Sequence, residues 1–334
     1  MKPSAHILGA GGIGIAVAAS LVQAGIDVTV VESNRVKVAA ARRDGMSLNG
    51  RVIEPVRVMH FDEWQQPAGA TVWLCTKTFD NQAILDRIDE PCNLVPIQNG
   101  YEPRLERMDH PAEAIASFVS YCPADRPVAT ITRAGAIHIG PRRATTAQET
   151  ESIRALATAL AVGRNFLVHY TEDVRPFKAS KLMYNAAISP LAASAGVDNA
   201  QLIVDPLARR LFFALLRENF AILQHAGQSL ETIGPFHPRT VMRILTAPML
   251  ANWMGMFFRP SLRGTYCSMS PDMGSGRTEI DAYNGHLTRI AGDFPCPLNR
   301  AVIELVERIS RERLAPSREH LREMANALAP EALQ

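Results

Sequence analysis

At 334 residues the chain is longer than one hydrophobic core ordinarily organises, so two domains are expected, and 47% hydrophobic residues suffice to build them. A formal net charge of +2 with 20% charged residues excludes the basic stripe that nucleic acid demands and leaves a small molecule as the expected ligand. Five cysteines, odd in number and without a CxxC pair, argue against a disulfide framework and a zinc site; no metal is expected, and a reducing cytoplasm fits.

The N-terminal segment is broken by glycines and lacks the apolar stretch of a signal peptide, and no run approaches the roughly eighteen apolar residues of a membrane span. Residues 6–8 form a short apolar strand. GAGGIG follows at once and sets Gly9, Gly11 and Gly14 at G-x-G-x-x-G spacing, with Gly12 among them. Ile13, Val17, Leu21 and Val22 then recur at helical spacing, Gly25 ends the helix, and IDVTVVE reads as a β-branched strand finishing at Glu32. Together these make a βαβ unit. The first glycine permits a tight turn, the second lets backbone approach a pyrophosphate, and the third lets helix pack on strand. A bare glycine pattern is equally a structural turn. The flanking strand and helix, with an acid closing the second strand, turn the reading to dinucleotide binding by Gly9, Gly11, Gly12, Gly14 and Glu32.

Further strands are expected at 52–58, 71–75, 93–96, 114–119 and 136–139. From about Thr171 long helical periods dominate, as in DPLARRLFFALLRENFAILQHAG and NRAVIELVERISRER, and strand signals nearly vanish. The fold class is therefore α/β, with a Rossmann-type parallel sheet over residues 1–172 followed by an all-helical C-terminal domain over 173–334.

Three motifs carry chemistry besides the glycine loop. LCTKTFD puts Lys77 just after an apolar strand, at the carboxyl edge where an open parallel sheet binds its ligand, although a solvated loop lysine would look the same. PIQNG puts Asn99 at the end of another such strand, and Asn-Gly is also an ordinary turn. KASKLMYNAAISPLAASAG reads as a buried helix with Lys181 and Asn185 on one face; a buried charge costs several kcal/mol, so Lys181 needs a partner or a task. In CSMSPDMGSGRTEID, Ser268, Asp272 and Glu279 surround a glycine-rich break, and Glu279 is a candidate partner for Lys181. The plain alternative is a loop followed by a helix with an acidic first turn.

In chain order, GAGGIG, TK after a strand, QNG, K-x-x-x-N followed by SPL, and SM-x-x-D with GRTEID resemble the ketopantoate reductase (2-dehydropantoate 2-reductase) family along nearly the whole chain. The resemblance implies a nicotinamide-dependent reductase of a small 2-oxo acid, with catalysis in a cleft between a Rossmann and a helical domain. It assigns Lys181 as general acid, Glu279 as its supporting carboxylate, and Asn99, Asn185 and Ser268 as substrate contacts. Asp272 matches a motif acid placed with the substrate set, and Lys77 lies on the nicotinamide side, where Asn99 also meets the cofactor.

This chain departs from the family pattern at Ser189 and Thr265, where asparagines are common, at Ala179, where an aromatic is common, and in a segment between Asp272 and Glu279 that is one residue short. Arg259 and Arg263 are either surface charges or a modified pocket wall. A paralogue acting on another 2-oxo acid is thus an alternative to the ketopantoate reductase reading, and a dinucleotide-binding sensor without turnover is another. Family resemblance points to NADPH. The second strand, however, ends in Glu32-Ser33, the pattern that accepts ribose hydroxyls and favours NADH, although Arg35 and Lys37 follow within reach of a 2′-phosphate. The oligomeric state is open, with a homodimer among the options.

Overall fold

A computed structural model describes residues 3–89, 92–247 and 262–329. The chain divides into two compact units. One comprises Met1–Gln98 and Glu102–Arg175, the other Asn99–Tyr101 and Pro176–Gln334.

The first unit opens with β1 (Ser4–Leu8), α1 (Gly12–Gln23) and β2 (Asp27–Glu32), the βαβ unit expected from the glycine spacing. Residues 14–21 of α1 are all buried, because the helix packs against the sheet on one side and against a later helix on the other. There follow α2 (Arg35–Asp44), β3 (Ser47–Leu48), β4 (Arg51–Val52), β5 (Arg57–His60), β6 (Thr71–Leu74), α3 (Asn81–Leu85), β7 (Asn93–Pro96) and α4 (Pro103–Arg107). The main sheet is wholly parallel, in the order β5-β2-β1-β6-β7. Chain order reverses between β1 and β6, and the carboxyl edge at such a reversal is where open α/β sheets take their ligands. The glycine loop leaves β1 there and the Lys77 loop leaves β6 there.

The unit is completed by β8 (Ala112–Ala116), β9 (Val119–Tyr121), β10 (Val128–Arg133), β11 (Ala136–Pro141), α5 (Ala147–Val162) and β12 (Leu167–Tyr170). These form two smaller sheets, β4-β3-β10-β9 and β12-β11-β8. Three expectations need correction. The strand expected at 52–58 is two strands, since Pro55 has no N–H to give a ladder. The strand expected at 114–119 is likewise β8 and β9. Strands β3 and β10 lie outside the expected set: β3 is only two residues long, whereas the alternation of VATITR in β10 is a strand signal that sequence reasoning missed.

Among the described residues of the second unit, α6 (Arg175–Ala195), α7 (Asn199–Val204), α8 (Pro206–His225), α9 (Pro238–Leu245), α10 (His286–Ala291), α11 (Pro297–Glu312) and α12 (Arg318–Ala327) surround one apolar core. A π-helical turn, Asp281–Gly285, leads into α10. Helix α6 runs through that core and buries Leu182, Met183, Ala186, Ala187, Leu191 and Ala192 completely. At 100° per residue, Met183, Ala186 and Pro190 lie roughly 140–200° round the helix from Lys181. The half-buried Lys181, Tyr184, Asn185 and Ile188 form the opposite side.

Candidate active site

In the first unit the candidate dinucleotide site is built by the glycine loop and the end of β2. Gly9 adopts φ +101°, a conformation that side chains resist, and its N–H donates to the Val31 carbonyl at 2.8 Å. A Cβ on Gly14 would lie 1.9 Å from the Gly9 carbonyl oxygen, and one on Gly12 would lie 2.2 Å from Ser120 Oγ, so both glycines serve packing. A Cβ on Gly11 would meet nothing within 4 Å. The loop is thus closed on the protein side and open on the side a pyrophosphate would take. The residues fit a dinucleotide.

Glu32 is half-buried and its carboxylate is turned into the loop, accepting the Ala10 N–H at 3.1 Å and the Asn34 N–H at 2.8 Å. Asn34 in turn caps α2, its Oδ1 accepting the N–H groups of Val36 and Lys37. The two cations expected to compete for a 2′-phosphate behave differently. Lys37 is buried, and its ammonium donates inward to the Ala10 carbonyl at 3.3 Å and approaches Cys122 Sγ at 3.7 Å. Arg35 is exposed and pairs with Asp62 at 2.5 Å.

Lys77 stands just before the short 3₁₀ turn that follows β6, with its ammonium 5.9 Å from the Phe79 ring centre. A buried reciprocal amide pair ties its loop to the Gln98 end of the PIQNG segment. Asn81 Nδ2 donates to Gln98 Oε1 at 2.8 Å, and Gln98 Nε2 donates to Asn81 Oδ1 at 2.7 Å and to the Thr76 carbonyl at 2.8 Å.

Asn99 itself belongs to the second unit, where Tyr101 anchors it. The Tyr101 N–H donates to the Ala282 carbonyl at 3.0 Å, and its ring stacks on His286 with centres 4.0 Å apart. The ammonium of Lys178 sits 4.3 Å from the centre of the Tyr101 ring. This corrects the sequence reading of α6. The lysine buried in that helix is Lys178, 3% exposed, whereas Lys181 is half-buried on the same side, beside Asn185. Burial, then the charges of Arg289 and Lys178, lower His286 to about 4, so the imidazole that stacks on Tyr101 is neutral.

Ser268, Tyr283 and Glu279 form a line. Tyr283 Oη donates to Glu279 Oε2 at 3.1 Å and lies 3.3 Å from Ser268 Oγ. Tyr283 is fully buried, and burial together with the Glu279 charge raises its hydroxyl well above the ordinary range, so it acts as a donor. Asp272 is buried in a 3₁₀ turn, and its carbonyl accepts the Ser275 N–H at 2.9 Å. The three single-residue departures from the family pattern are all buried, Ser189 at 2%, Thr265 at 6% and Ala179 at 1% exposure. Arg263 is exposed, and Arg259 lies outside the described residues. Sequence reasoning missed Lys178, Tyr101, His286 and Tyr283. Only Tyr283 had a signal, standing four residues after Glu279 on a helical run.

Residues 5–154 match the family model described as ketopantoate reductase PanE/ApbA, and residues 173–310 match its C-terminal counterpart. No curated protein matches. Among solved structures, a ketopantoate reductase of the PanE/ApbA family from Ralstonia eutropha JMP134 is 21% identical, with TM-score 0.72, over 94% of this chain and 100% of that one. A 2-dehydropantoate 2-reductase from Methylococcus capsulatus is 17% identical, with TM-score 0.69, over 93% and 98%. A D-mandelate dehydrogenase in complex with NADH and anilino(oxo)acetate is 18% identical, with TM-score 0.73, over 93% and 99%. At these identities the likeness is one of fold.

Proposed function

The chain belongs to the ketopantoate reductase PanE/ApbA family, and from that premise we propose that this NAD(P)-dependent oxidoreductase reduces a small branched 2-oxo acid to its 2-hydroxy acid, with ketopantoate the leading candidate. The observation that carries the reading is α6, which turns a lysine and an amide outward from an apolar core on one side, in the same unit as a buried, hydroxyl-bound carboxylate. When bound, the reduced nicotinamide supplies the hydride to the carbonyl carbon. The Lys181 ammonium stabilises the charge that develops on the carbonyl oxygen and gives it a proton. Glu279, oriented by the Tyr283 hydroxyl, is assigned to favour the charged form of Lys181, which takes its next proton from solvent. Asn185, Asn99 and Ser268 are assigned to the substrate, Asp272 to the turn that presents Ser268, and Lys77 to the cofactor.

For the cofactor we infer NADH. Glu32 is already fixed in the loop by two backbone donors, and Lys37 is committed inward, which leaves Arg35 as the described cation of that pair at the surface. The buried Ser189 and Thr265 favour a second reading within the same chemistry. With two amides of the family pattern replaced by short buried hydroxyls, a 2-oxo acid other than ketopantoate, including an aromatic one, becomes a substrate.

Loss of absorbance at the reduced-nicotinamide band with a panel of 2-oxo acids tests the reaction and ranks the substrates. Lys181→Ala should lower kcat about 10²- to 10⁴-fold with cofactor affinity kept. Cofactor binding without consumption across the panel would sink the enzyme reading and leave the sensor.

A further inference from the structure

Helix α6 carries Pro190 in its interior, and a proline has no N–H to give to the carbonyl four residues earlier. The carbonyl left without its helical donor is that of Ala186, next to Asn185, on a residue with no solvent exposure. An unmet acceptor there costs about 1–3 kcal/mol. Asn284 fills the gap, its Nδ2 donating to the Ala186 carbonyl at 2.9 Å.

The same nitrogen donates to Asn299 Oδ1 at 2.8 Å. Asn299 Nδ2 donates to Asn219 Oδ1 and to Glu218 Oε1, each at 2.8 Å, and Asn219 Nδ2 donates to the Met183 carbonyl at 3.0 Å. Glu218 closes the line by accepting the N–H groups of Leu298 and Asn299 at the start of α11. All three asparagines are fully buried. Two amides, Asn284 of the π-helical turn and Asn219 of α8, thus grip two carbonyls about one turn apart on the back of α6, and Asn299 of α11 ties the two together. Lys181 and Asn185 stand on the front of that stretch. Asn284 Oδ1 is buried without a partner, yet every amide N–H named here is bonded, and a polar chain of this kind in an apolar core favours one arrangement of its helices where apolar packing alone would admit several.

We propose that Asn284 is a positioning residue, which through the carbonyl freed by Pro190 sets the rotation of α6 and so the placement of Lys181 and Asn185. It acts without touching substrate or cofactor. The proposal rests on the reading of Lys181 as general acid, and its own turn carries Tyr283, which orients Glu279. The two sides of the proton-handling pair are therefore held by one short segment, and π-turns inside helices recur at functional sites.

The test compares Asn284→Leu, Pro190→Ala and the double variant by amide hydrogen exchange over α6 and by kcat. Asn284→Leu should quicken exchange over residues 183–190 and lower kcat about 10- to 100-fold, since small misplacements of catalytic groups cost that much, with the Kd for NADH unchanged. Pro190→Ala returns an N–H to the Ala186 carbonyl, so the double variant should recover much of both losses. A residue that only fills space would show no such recovery. Unchanged exchange in Asn284→Leu, no recovery in the double variant, or recovered exchange without any change in kcat each overturn the proposal. If Asn284→Leu does not fold, Asn284→Ser, too short to span the bond, takes its place. Failure of the wild type to turn over any 2-oxo acid would instead overturn the assigned reaction, while exchange still decides whether Asn284 holds α6.

Discussion

Replacing Glu32 by serine isolates the group that we assign to cofactor choice. A carboxylate has about four lone-pair sites. Two are taken by the N–H groups of Ala10 and Asn34, at 3.1 and 2.8 Å, and a third is met by the Ser33 hydroxyl at the long distance of 3.5 Å, a weak contact that the paired hydroxyls of an adenosine ribose would displace. Hydrogen bonds to a charged acceptor are worth about 1.5–3 kcal/mol each, and at this partly solvated place the lower end applies, so the pair is worth about 3 kcal/mol, or roughly 150-fold in affinity. A 2′-phosphate in the same position would face the carboxylate at about 4 Å, with a repulsion of about 4 kcal/mol at an effective dielectric of 20, before screening by salt. Glu32→Ser should therefore weaken NADH by about 10- to 100-fold and strengthen NADPH, moving the ratio of the two dissociation constants by about 10³. Fluorescence titration of each reduced cofactor gives both constants. Glu32→Gln, which keeps an acceptor for the Ala10 N–H, separates loss of charge from loss of the loop's shape. An NADH Kd within twofold of wild type in Glu32→Ser would refute the assignment, and tighter NADPH binding by the wild type would give the choice to Arg35.

The other predictions concern the loop and the second unit. Gly11→Ala should leave the melting temperature unchanged yet weaken NADH at least about tenfold, because its open side is the pyrophosphate's; Gly14→Ala should lower stability itself, its Cβ falling 1.9 Å from a carbonyl oxygen. Thermal scans with and without cofactor separate the two. Tyr101→Leu should cost about 1–3 kcal/mol, and combining it with Lys178→Met in a urea-unfolding cycle should reveal a coupling of about 1 kcal/mol from the buried ammonium on the ring; additivity would deny that contact its energy. His286 is lowered to about 4 in the fold against an ordinary 6.5, so its contribution to stability is full above pH 6.5 and is lost as pH falls from there towards 4. His286→Phe should flatten the pH dependence of stability in that window by up to about 1.4 kcal/mol per pH unit, and an unaltered slope there would mean that the imidazole already charges freely.

The parallel sheet was legible because its signals are local. Apolar strands end in GAGGIG, TK and QNG, and each motif stands at the carboxyl edge that strand polarity dictates. The failures share a cause as well. Pro55 interrupts a run that apolar content alone would pair throughout, and β3 is too short to leave a periodic trace. On α6, spacing placed Lys181 and Asn185 on one side correctly but could not tell which lysine was buried. Lys178 lies on that side too, and its burial depends on Tyr101, a residue from the middle of the other unit's sequence. Glu279 and Tyr283 stand four residues apart, which marks them as neighbours on a helical run, but that spacing alone does not say that the hydroxyl donates to the carboxylate.

The tripeptide Asn99–Tyr101 has a consequence for how the chain can be cut and how it assembles. Because it belongs with Pro176–Gln334 while its neighbours on both sides belong elsewhere, the helical unit is not one continuous stretch of polypeptide. A fragment beginning at Pro176 would lack Tyr101 and leave the Lys178 ammonium in the core without the aromatic face it rests against. During synthesis the tripeptide leaves the ribosome long before Ala282, the residue whose carbonyl receives the Tyr101 N–H, so that bond closes late and across a long loop. The second unit is thus a discontinuous folding unit, in which the segment holding Asn99 is locked only after nearly all of the chain has been made.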